Sequence, residues 1–241
     1  MDSEDNIIAQ LNAYKWVQLP DGGIQAIGKD TYRFNSLIPQ LHVKYNTEST
    51  PGGYKLSFPP ESLGALAHKG MKFPGSESLR QIVAVRKQIE KAGYSPDQTD
   101  AIIWELGVNK GSMQGGQCVA NFKPPSLSTV LQSLGQDSEA LQNIVDGYRE
   151  HLLLIQFPGE GEATPANVRS YIRGQGYTAE ETDALIWGLG TNAIHPQFKR
   201  IPLEGTLTIY HHEGTVLGST MERYGNCVAQ IMPVLKSGVS L

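Results

Sequence analysis

The sequence predicts an α+β fold in which two diverged repeats, each a helix pair followed by a strand, surround a small antiparallel or mixed sheet with pseudo-twofold symmetry. Three observations lead to this prediction. A fifteen-residue segment occurs twice without a gap, both occurrences carry helix-capping residues, and several short apolar runs open with glycine and close with proline, as strands do. We expect an N-terminal helix and β-hairpin region at 1–60, a first repeat at 61–157, and a second repeat with a C-terminal β-hairpin at 158–241.

Composition excludes several classes of protein. The chain has 241 residues and a net charge of −4, and only 18 % of its residues are charged. The basic residues are spread along the chain, which argues against a nucleic-acid-binding surface, since that needs a basic cluster. No run approaches the ~18 apolar residues of a membrane helix, and the acidic start, Met1–Asp5, is unlike a signal peptide. We therefore expect a cytoplasmic or virion-associated protein with neither nucleic acid nor membrane as a partner.

The N-terminal region predicts a helix and short strands. Residues 3–14 are helical by their pattern, Trp16–Leu19 is a strand, and Thr31–Phe34 alternates like a strand. The apolar alternation at Leu41–Tyr45, followed by a turn and a second alternating run at 53–58, predicts a hairpin.

One N-terminal segment matches the pattern of a phosphate-binding loop. Residues 23–29 match Gly-x4-Gly-Lys. The next residue is Asp30, where such a loop carries Ser or Thr, and a carboxylate there would repel phosphate. The segment is better interpreted as a hairpin turn.

The duplicated segment is the most informative feature. Residues 93–107 read GYSPDQTDAIIWELG and residues 176–190 read GYTAEETDALIWGLG, with nine of fifteen positions identical. In both, a Ser or Thr is followed three residues later by Gln or Glu, which predicts a capping box at the start of a helix. We expect each helix to stop at its second glycine, Gly107 or Gly190.

A further helix precedes each of these segments. Helical spacing of apolar residues at 78–91, and a helix start at Thr164-Pro165, give two helix–turn–helix pairs. A DNA-binding helix-turn-helix would need basic or amide residues on its second helix. Both second helices carry acidic residues instead, so the DNA-binding interpretation is rejected.

The strands of the repeats are predicted from a second motif. Residues 115–125 (GGQCVANFKPP) and 224–233 (YGNCVAQIMP) share Gly-x-Cys-Val-Ala, and 52–60 is a looser relative. Each opens with glycine and closes with proline, which cannot donate to a sheet ladder. We expect Cys118 and Cys227 at matching buried strand positions.

Two more segments of the C-terminal half are read from their pattern. Alternation at Leu207–His211, a turn, and continuation to Leu217 predict a closing hairpin. The apolar run His151–Phe157 is either the end of a helix or a buried strand.

Cys118 is the candidate nucleophile. Gln114–Cys118 resembles the segment before the nucleophile of papain-like cysteine peptidases, although the aromatic residue that usually follows is absent. The resemblance implies a cysteine hydrolase in which a downstream histidine, His195, His211 or His212, is the base. The Val-Ala context shared with Cys227 favours a structural cysteine instead.

Other candidates have structural alternatives of their own. His211, with its neighbours His212 and Glu213, offers metal-ligating groups, but consecutive strand residues point to opposite faces. Asp100 and Asp183, equivalent in the duplicated segment, could form an acid–base or metal pair. Trp104 and Trp187 are predicted core anchors, because both lie in apolar runs.

No complete catalytic constellation emerges. The leading hypothesis is a non-catalytic structural or assembly protein, for example a phage virion or injection-machine component, whose partners are protein subunits and which needs neither cofactor nor metal. The alternatives are a papain-like cysteine hydrolase using Cys118 and a module that binds a small ligand between the two repeats.

Overall fold

The structure, a computed structural model, describes residues 3–111, 126–212 and 214–232. Helices and a four-stranded antiparallel sheet give it an α+β fold. Its internal contacts divide the chain into an N-terminal unit, Met1–Val83, and a C-terminal unit, Ala84–Leu241. Over the residues that the structure describes, no helix combines the length and the apolar character needed to cross a membrane.

The N-terminal unit holds the sheet. Its elements in chain order are α1 (Glu4–Leu11), β1 (Val17–Gln18), β2 (Ile24–Gly28), two 3₁₀ helices (Thr31–Ser36 and Ile38–Leu41), β3 (Asn46–Thr50), β4 (Gly53–Phe58), α2 (Pro60–His68) and the start of α3 (Ser76–Lys91). The strand order is β1-β2-β4-β3, and every neighbouring pair is antiparallel. One face of the sheet is apolar and buried, with Ile24, Ala26, Leu56 and Phe58 at paired positions of β2 and β4.

Two strand predictions in this unit are wrong. Thr31–Phe34 forms a 3₁₀ helix, because Thr31 and Phe34 are buried together at a spacing of three residues and the Thr31 hydroxyl donates to the Tyr54 carbonyl (2.6 Å). The first hairpin strand is β3 rather than Leu41–Tyr45. The residues of β3 are polar because it is an exposed edge strand, so apolar alternation could not reveal it.

The segment that matches a phosphate-binding loop is a strand. Ile24–Gly28 forms β2, which pairs with β1 on one side and β4 on the other. The segment is therefore extended and paired in the sheet, and it is neither a phosphate-binding loop nor the hairpin turn that the sequence predicted.

The C-terminal unit is helical throughout its described part. After the end of α3 come α4 (Pro96–Gly111), α5 (Leu127–Gln136), α6 (Ser138–Leu154), α7 (Pro165–Gly174), α8 (Ala179–Ala193), α9 (Leu203–His212) and α10 (Gly214–Ile231). Helices α4 and α8 pack against each other at the centre, α6 packs on α4, and α10 packs on α8.

The strands predicted in the second repeat are helices. The predicted hairpin at 207–217 falls on α9 and the start of α10, and the predicted strand at 224–233 lies on α10 as far as Ile231. Buried Thr220, Tyr224, Val228 and Ile231 recur at intervals of four, four and three residues, which is one face of a helix. The described strands thus all come from residues 17–58, and the sheet is not built from the predicted repeats.

Two other segments have different outcomes. His151–Leu154 is the last turn of α6, so the helical alternative for His151–Phe157 is correct for its first four residues. The predicted strand at 115–125, with Cys118, lies outside the described residues.

Candidate functional site

The two central helices of the C-terminal unit, α4 and α8, begin with the predicted capping boxes. The Ser95 hydroxyl accepts a hydrogen bond from the Gln98 N–H (3.3 Å), and the Gln98 side chain accepts one from the Ser95 N–H (2.9 Å). Thr178 and Glu181 make the same two hydrogen bonds, at 3.2 and 2.8 Å. The capping boxes are confirmed, and they fix where α4 and α8 begin.

The second glycines do not end these helices. A Cβ atom built on Gly107 would lie 2.0 Å from the carbonyl oxygen of Trp187, and one built on Gly190 would lie 2.0 Å from the carbonyl oxygen of Trp104. The helices continue to Gly111 and to Ala193. The prediction of helix ends was wrong because the glycines allow α4 and α8 to touch backbone to backbone, which gives them a packing role rather than a capping role.

Two arginines and three aspartates form a charge network beside this contact. The Arg86 Nε donates to both carboxylate oxygens of Asp183 (2.9 and 2.8 Å), and its Nη2 donates to Oδ1 of Asp100 (2.6 Å). The Arg169 Nη1 donates to the other oxygen of Asp100, and its Nη2 lies 3.3 Å from Asp97. Arg86 on α3 thus reaches α8, and Arg169 on α7 reaches α4.

Burial determines the electrostatics of this network. The side chains of Asp100 and Asp183 are 0 % and 5 % exposed. Burial raises the pKa of the Asp183 carboxyl to about 6, although the Arg86 guanidinium opposes the rise, and burial likewise raises the pKa of Asp100. Burial alone would lower the pKa of Arg86, but its hydrogen bonds to Asp183 and the two negative charges hold that pKa above its usual range.

The two aspartates therefore have partners. Each carboxylate accepts at least two guanidinium hydrogen bonds in a buried site, so both aspartates are tied to arginines of neighbouring helices. Among the described residues, no group of three or more His, Cys, Asp or Glu side chains is arranged to hold a metal ion.

Sequence reasoning missed the two arginines, although a signal was present. Arg86 lies seven residues before Gly93, and Arg169 lies seven residues before Gly176. The ungapped match thus extends upstream of Gly93 and Gly176.

An aromatic layer flanks the central helices. The Trp104 and Tyr148 rings are 5.7 Å apart, and the Trp187 and Tyr224 rings are 5.6 Å apart. Both indoles are buried, Trp104 at 7 % and Trp187 at 1 % exposure. The Trp104 Nε1 donates to Nδ1 of His151 (2.9 Å), and burial lowers the pKa of His151 to about 4, so this histidine is neutral at pH 7.

Several polar atoms of this layer are buried without a hydrogen-bond partner among the residues described. They are the hydroxyls of Tyr148 and Tyr224, the Trp187 Nε1 and the His151 Nε2. The Trp104 indole is satisfied, whereas the corresponding nitrogen of Trp187 is not.

Two further tyrosines tie the helix pairs to the next helix. Tyr94 donates its hydroxyl hydrogen to the carbonyl of Leu131 on α5 (2.6 Å), and Tyr177 donates to the carbonyl of Leu207 on α9 (2.9 Å). The first hydrogen bond joins the turn before α4 to α5, the helix that follows α4. The second joins the turn before α8 to α9, the helix that follows α8.

The residues of the predicted hydrolase lie in different parts of the chain, and one of them is not among the described residues. Cys118 lies outside the described residues. His195 is exposed in the segment after α8, with its ring edge-on to Phe198, and His211 lies on α9. Cys227 is half-buried on α10, so its predicted place in a buried strand was wrong, because that segment has helical rather than alternating burial.

Comparison with known proteins gives no relative: no family model, no curated protein and no solved structure matches the chain.

Proposed function

We propose that this chain is a non-catalytic structural or assembly protein that contains two diverged four-helix modules, α3–α6 and α7–α10. The observation that carries the proposal is the reciprocal use of arginine and aspartate. Arg86 of the first module reaches Asp183 of the second, and Arg169 of the second reaches Asp100 of the first. The side chains that best suited acid–base chemistry thus join one module to the other.

The helix boundaries support the division into modules. A shift of 83 residues superimposes the capping boxes and the arginines. A shift of 76 residues places α5 (Leu127–Gln136) on α9 (Leu203–His212) and Tyr148 on Tyr224. The same shift places His151 on Cys227, so the cysteine that the sequence paired with Cys118 corresponds to a histidine instead.

Burial supports the same correspondence. Val85 and Val168 are both fully buried, and so are Ile89 and Ile172. In each module the tryptophan of the second helix packs on a fully buried tyrosine of the fourth helix.

The charge network restricts how one module can be oriented against the other. Removing one partner from a buried ion pair typically costs 3–5 kcal/mol, because a charge is left buried without compensation. Two such arginines act across the interface, and the backbones of α4 and α8 touch at Gly107 and Gly190. Backbone contact leaves no room for a small ligand at this point, which favours a scaffold over the ligand-binding alternative.

The proposal is tested by the mass and the thiol chemistry of the purified protein. Size-exclusion chromatography with light scattering, over a wide range of concentrations, should reveal species larger than the 26.3 kDa chain. Iodoacetamide labelling of the folded protein, with Cys118→Ser and Cys227→Ser to assign each site, should show slow alkylation of Cys118. A strict monomer whose Cys118 alkylates rapidly would overturn the proposal in favour of the hydrolase.

A further inference from the structure

We propose that the partner in assembly is a second copy of this chain, bound by exchange of the segment α7–α10 between two chains. The inference rests on the proposed function, since it treats α3–α6 and α7–α10 as modules. It specifies what that proposal leaves open, namely the partner and the surface that it uses.

The interface between the modules has the reciprocity that a twofold dimer requires. In such a dimer, residue i contacts residue j and residue j contacts residue i of the partner. Arg86 with Asp183 is answered by Arg169 with Asp100, and the contact of Gly107 with Trp187 is answered by Gly190 with Trp104. All of these contacts can form between two chains with the same atoms.

The connection between the modules is strained, which favours exchange. It runs through residues 155–164, where Gln156 adopts a φ of +54°, a left-handed conformation uncommon for a residue other than glycine. The Phe157 ring lies over Gly159, where an added Cβ atom would be 2.1 Å from it. Strained hinge loops promote domain swapping, because an extended hinge releases the strain.

The connection is also long enough to reach a second chain. Ten residues, extended, span roughly 30 Å. Exchange preserves the contacts between modules and changes only the conformation of the hinge. The balance between closed and exchanged forms is therefore set by hinge strain and by protein concentration.

Exchange is tested with two full-length variants of opposite charge. Arg86→Asp leaves four carboxylates facing one guanidinium, and Asp183→Arg leaves three guanidiniums facing two carboxylates. Each variant alone should melt well below the wild type. Co-expressed with different tags, they should form a one-to-one dimer of twice 26.3 kDa that melts close to the wild-type temperature. Only exchange balances the charge at both interfaces, since a side-by-side dimer leaves both networks unbalanced.

The matched control carries Arg86→Asp and Asp183→Arg in one chain, which balances the charges within a closed monomer. If this control folds and the co-expressed pair gives no mixed dimer, exchange is overturned. If the control does not fold, deletion of residues 157–161 from the wild-type chain tests exchange instead. A hinge shortened in this way should force a dimer, because it cannot close within one chain. A folded monomer or an aggregate would refute exchange. Wild-type species of higher mass, found when these tests fail, would preserve the assembly function with a different interface.

Discussion

Replacing Gly107 by alanine tests the central contact of the C-terminal unit most directly. In a helix interior, alanine is ordinarily favoured over glycine by about 0.5–1 kcal/mol. At Gly107, however, the new Cβ atom would lie 2.0 Å from the Trp187 carbonyl oxygen, and backbone atoms cannot rotate away as a side chain can. Helices α4 and α8 would have to move apart by more than an ångström. Overpacking of this kind typically costs 1–3 kcal/mol or more, so we expect a net loss of stability.

The assay is urea unfolding followed by circular dichroism, with Gly218→Ala as the matched control. Gly218 lies on α10, and a Cβ atom there would meet nothing within 4 Å, so its replacement should stabilise the protein slightly. Gly190→Ala should resemble Gly107→Ala. The double variant should cost less than the sum of the two, because one separation of the helices relieves both clashes. A Gly107→Ala protein as stable as the Gly218→Ala control would refute the backbone contact.

Three further predictions concern caps, charges and pH. Ser95→Ala and Thr178→Ala should each lower the free energy of unfolding by about 0.5–2 kcal/mol in urea melts, and unchanged melts would mean that the caps contribute nothing. Arg86→Met should cost about 3–5 kcal/mol, because two carboxylates stay buried with one fewer partner, and a neutral result would contradict the buried network. Between about pH 4 and 6, the folded protein binds more protons than the unfolded chain at Asp183, whose pKa is about 6, and fewer at His151, whose pKa is about 4. Acidification through that range should therefore destabilise Asp183→Asn more steeply than the wild type and His151→Asn less steeply, by up to about 1.4 kcal/mol per pH unit in each case, and equal slopes in all three proteins would refute both pKa assignments.

The sequence predicted those parts of the fold that depend only on residues close together in the chain. The capping residues found the starts of α4 and α8, because a cap is recognised from four consecutive residues. The same reasoning failed for Gly107 and Gly190, since a glycine that ends a helix and a glycine that admits a neighbouring backbone look alike in a sequence. Only the packing partner distinguishes them.

The strands were harder to predict for two opposite reasons. Strand β3 is polar along its length, because an edge strand in water needs no apolar alternation. Residues 207–211 alternate in character but form part of α9, where Ile209 is 47 % exposed and Leu207 is buried. Alternation over five residues fits a helix as well as a strand when an apolar residue is left on the surface.

The arginines of the charge network could have been predicted from the sequence along with the aspartates. The aspartates were recognised as a symmetric pair, and their arginine partners occur at the same distance before each duplicated segment. What the sequence could not reveal is that each arginine crosses to the other helix pair, since that depends on the packing of α3 and α7 against the central helices.

The last prediction uses a position where the surroundings of Trp104 and Trp187 differ. His151 accepts the indole hydrogen of Trp104, whereas the indole nitrogen of Trp187 is buried without a hydrogen-bond partner among the described residues. The residue that corresponds to His151 by the 76-residue shift is Cys227, a half-buried residue of α10 that lies three positions after Tyr224, whose ring stacks on Trp187. A buried donor left without an acceptor typically costs about 1–3 kcal/mol.

Cys227→His should therefore supply the acceptor and raise the free energy of unfolding by about 1 kcal/mol, the usual net value of one hydrogen bond. Cys227→Leu is the control, because leucine adds apolar volume at the same position without an acceptor. The Trp187 indole N–H resonance, assigned from a Trp187→Phe spectrum, should shift downfield in Cys227→His alone, as hydrogen bonding requires. If Cys227→His is no more stable than Cys227→Leu and the resonance does not move, position 227 is not the counterpart of position 151, and the four-helix correspondence fails at its fourth helix while the Arg–Asp exchange between α3, α4, α7 and α8 still stands.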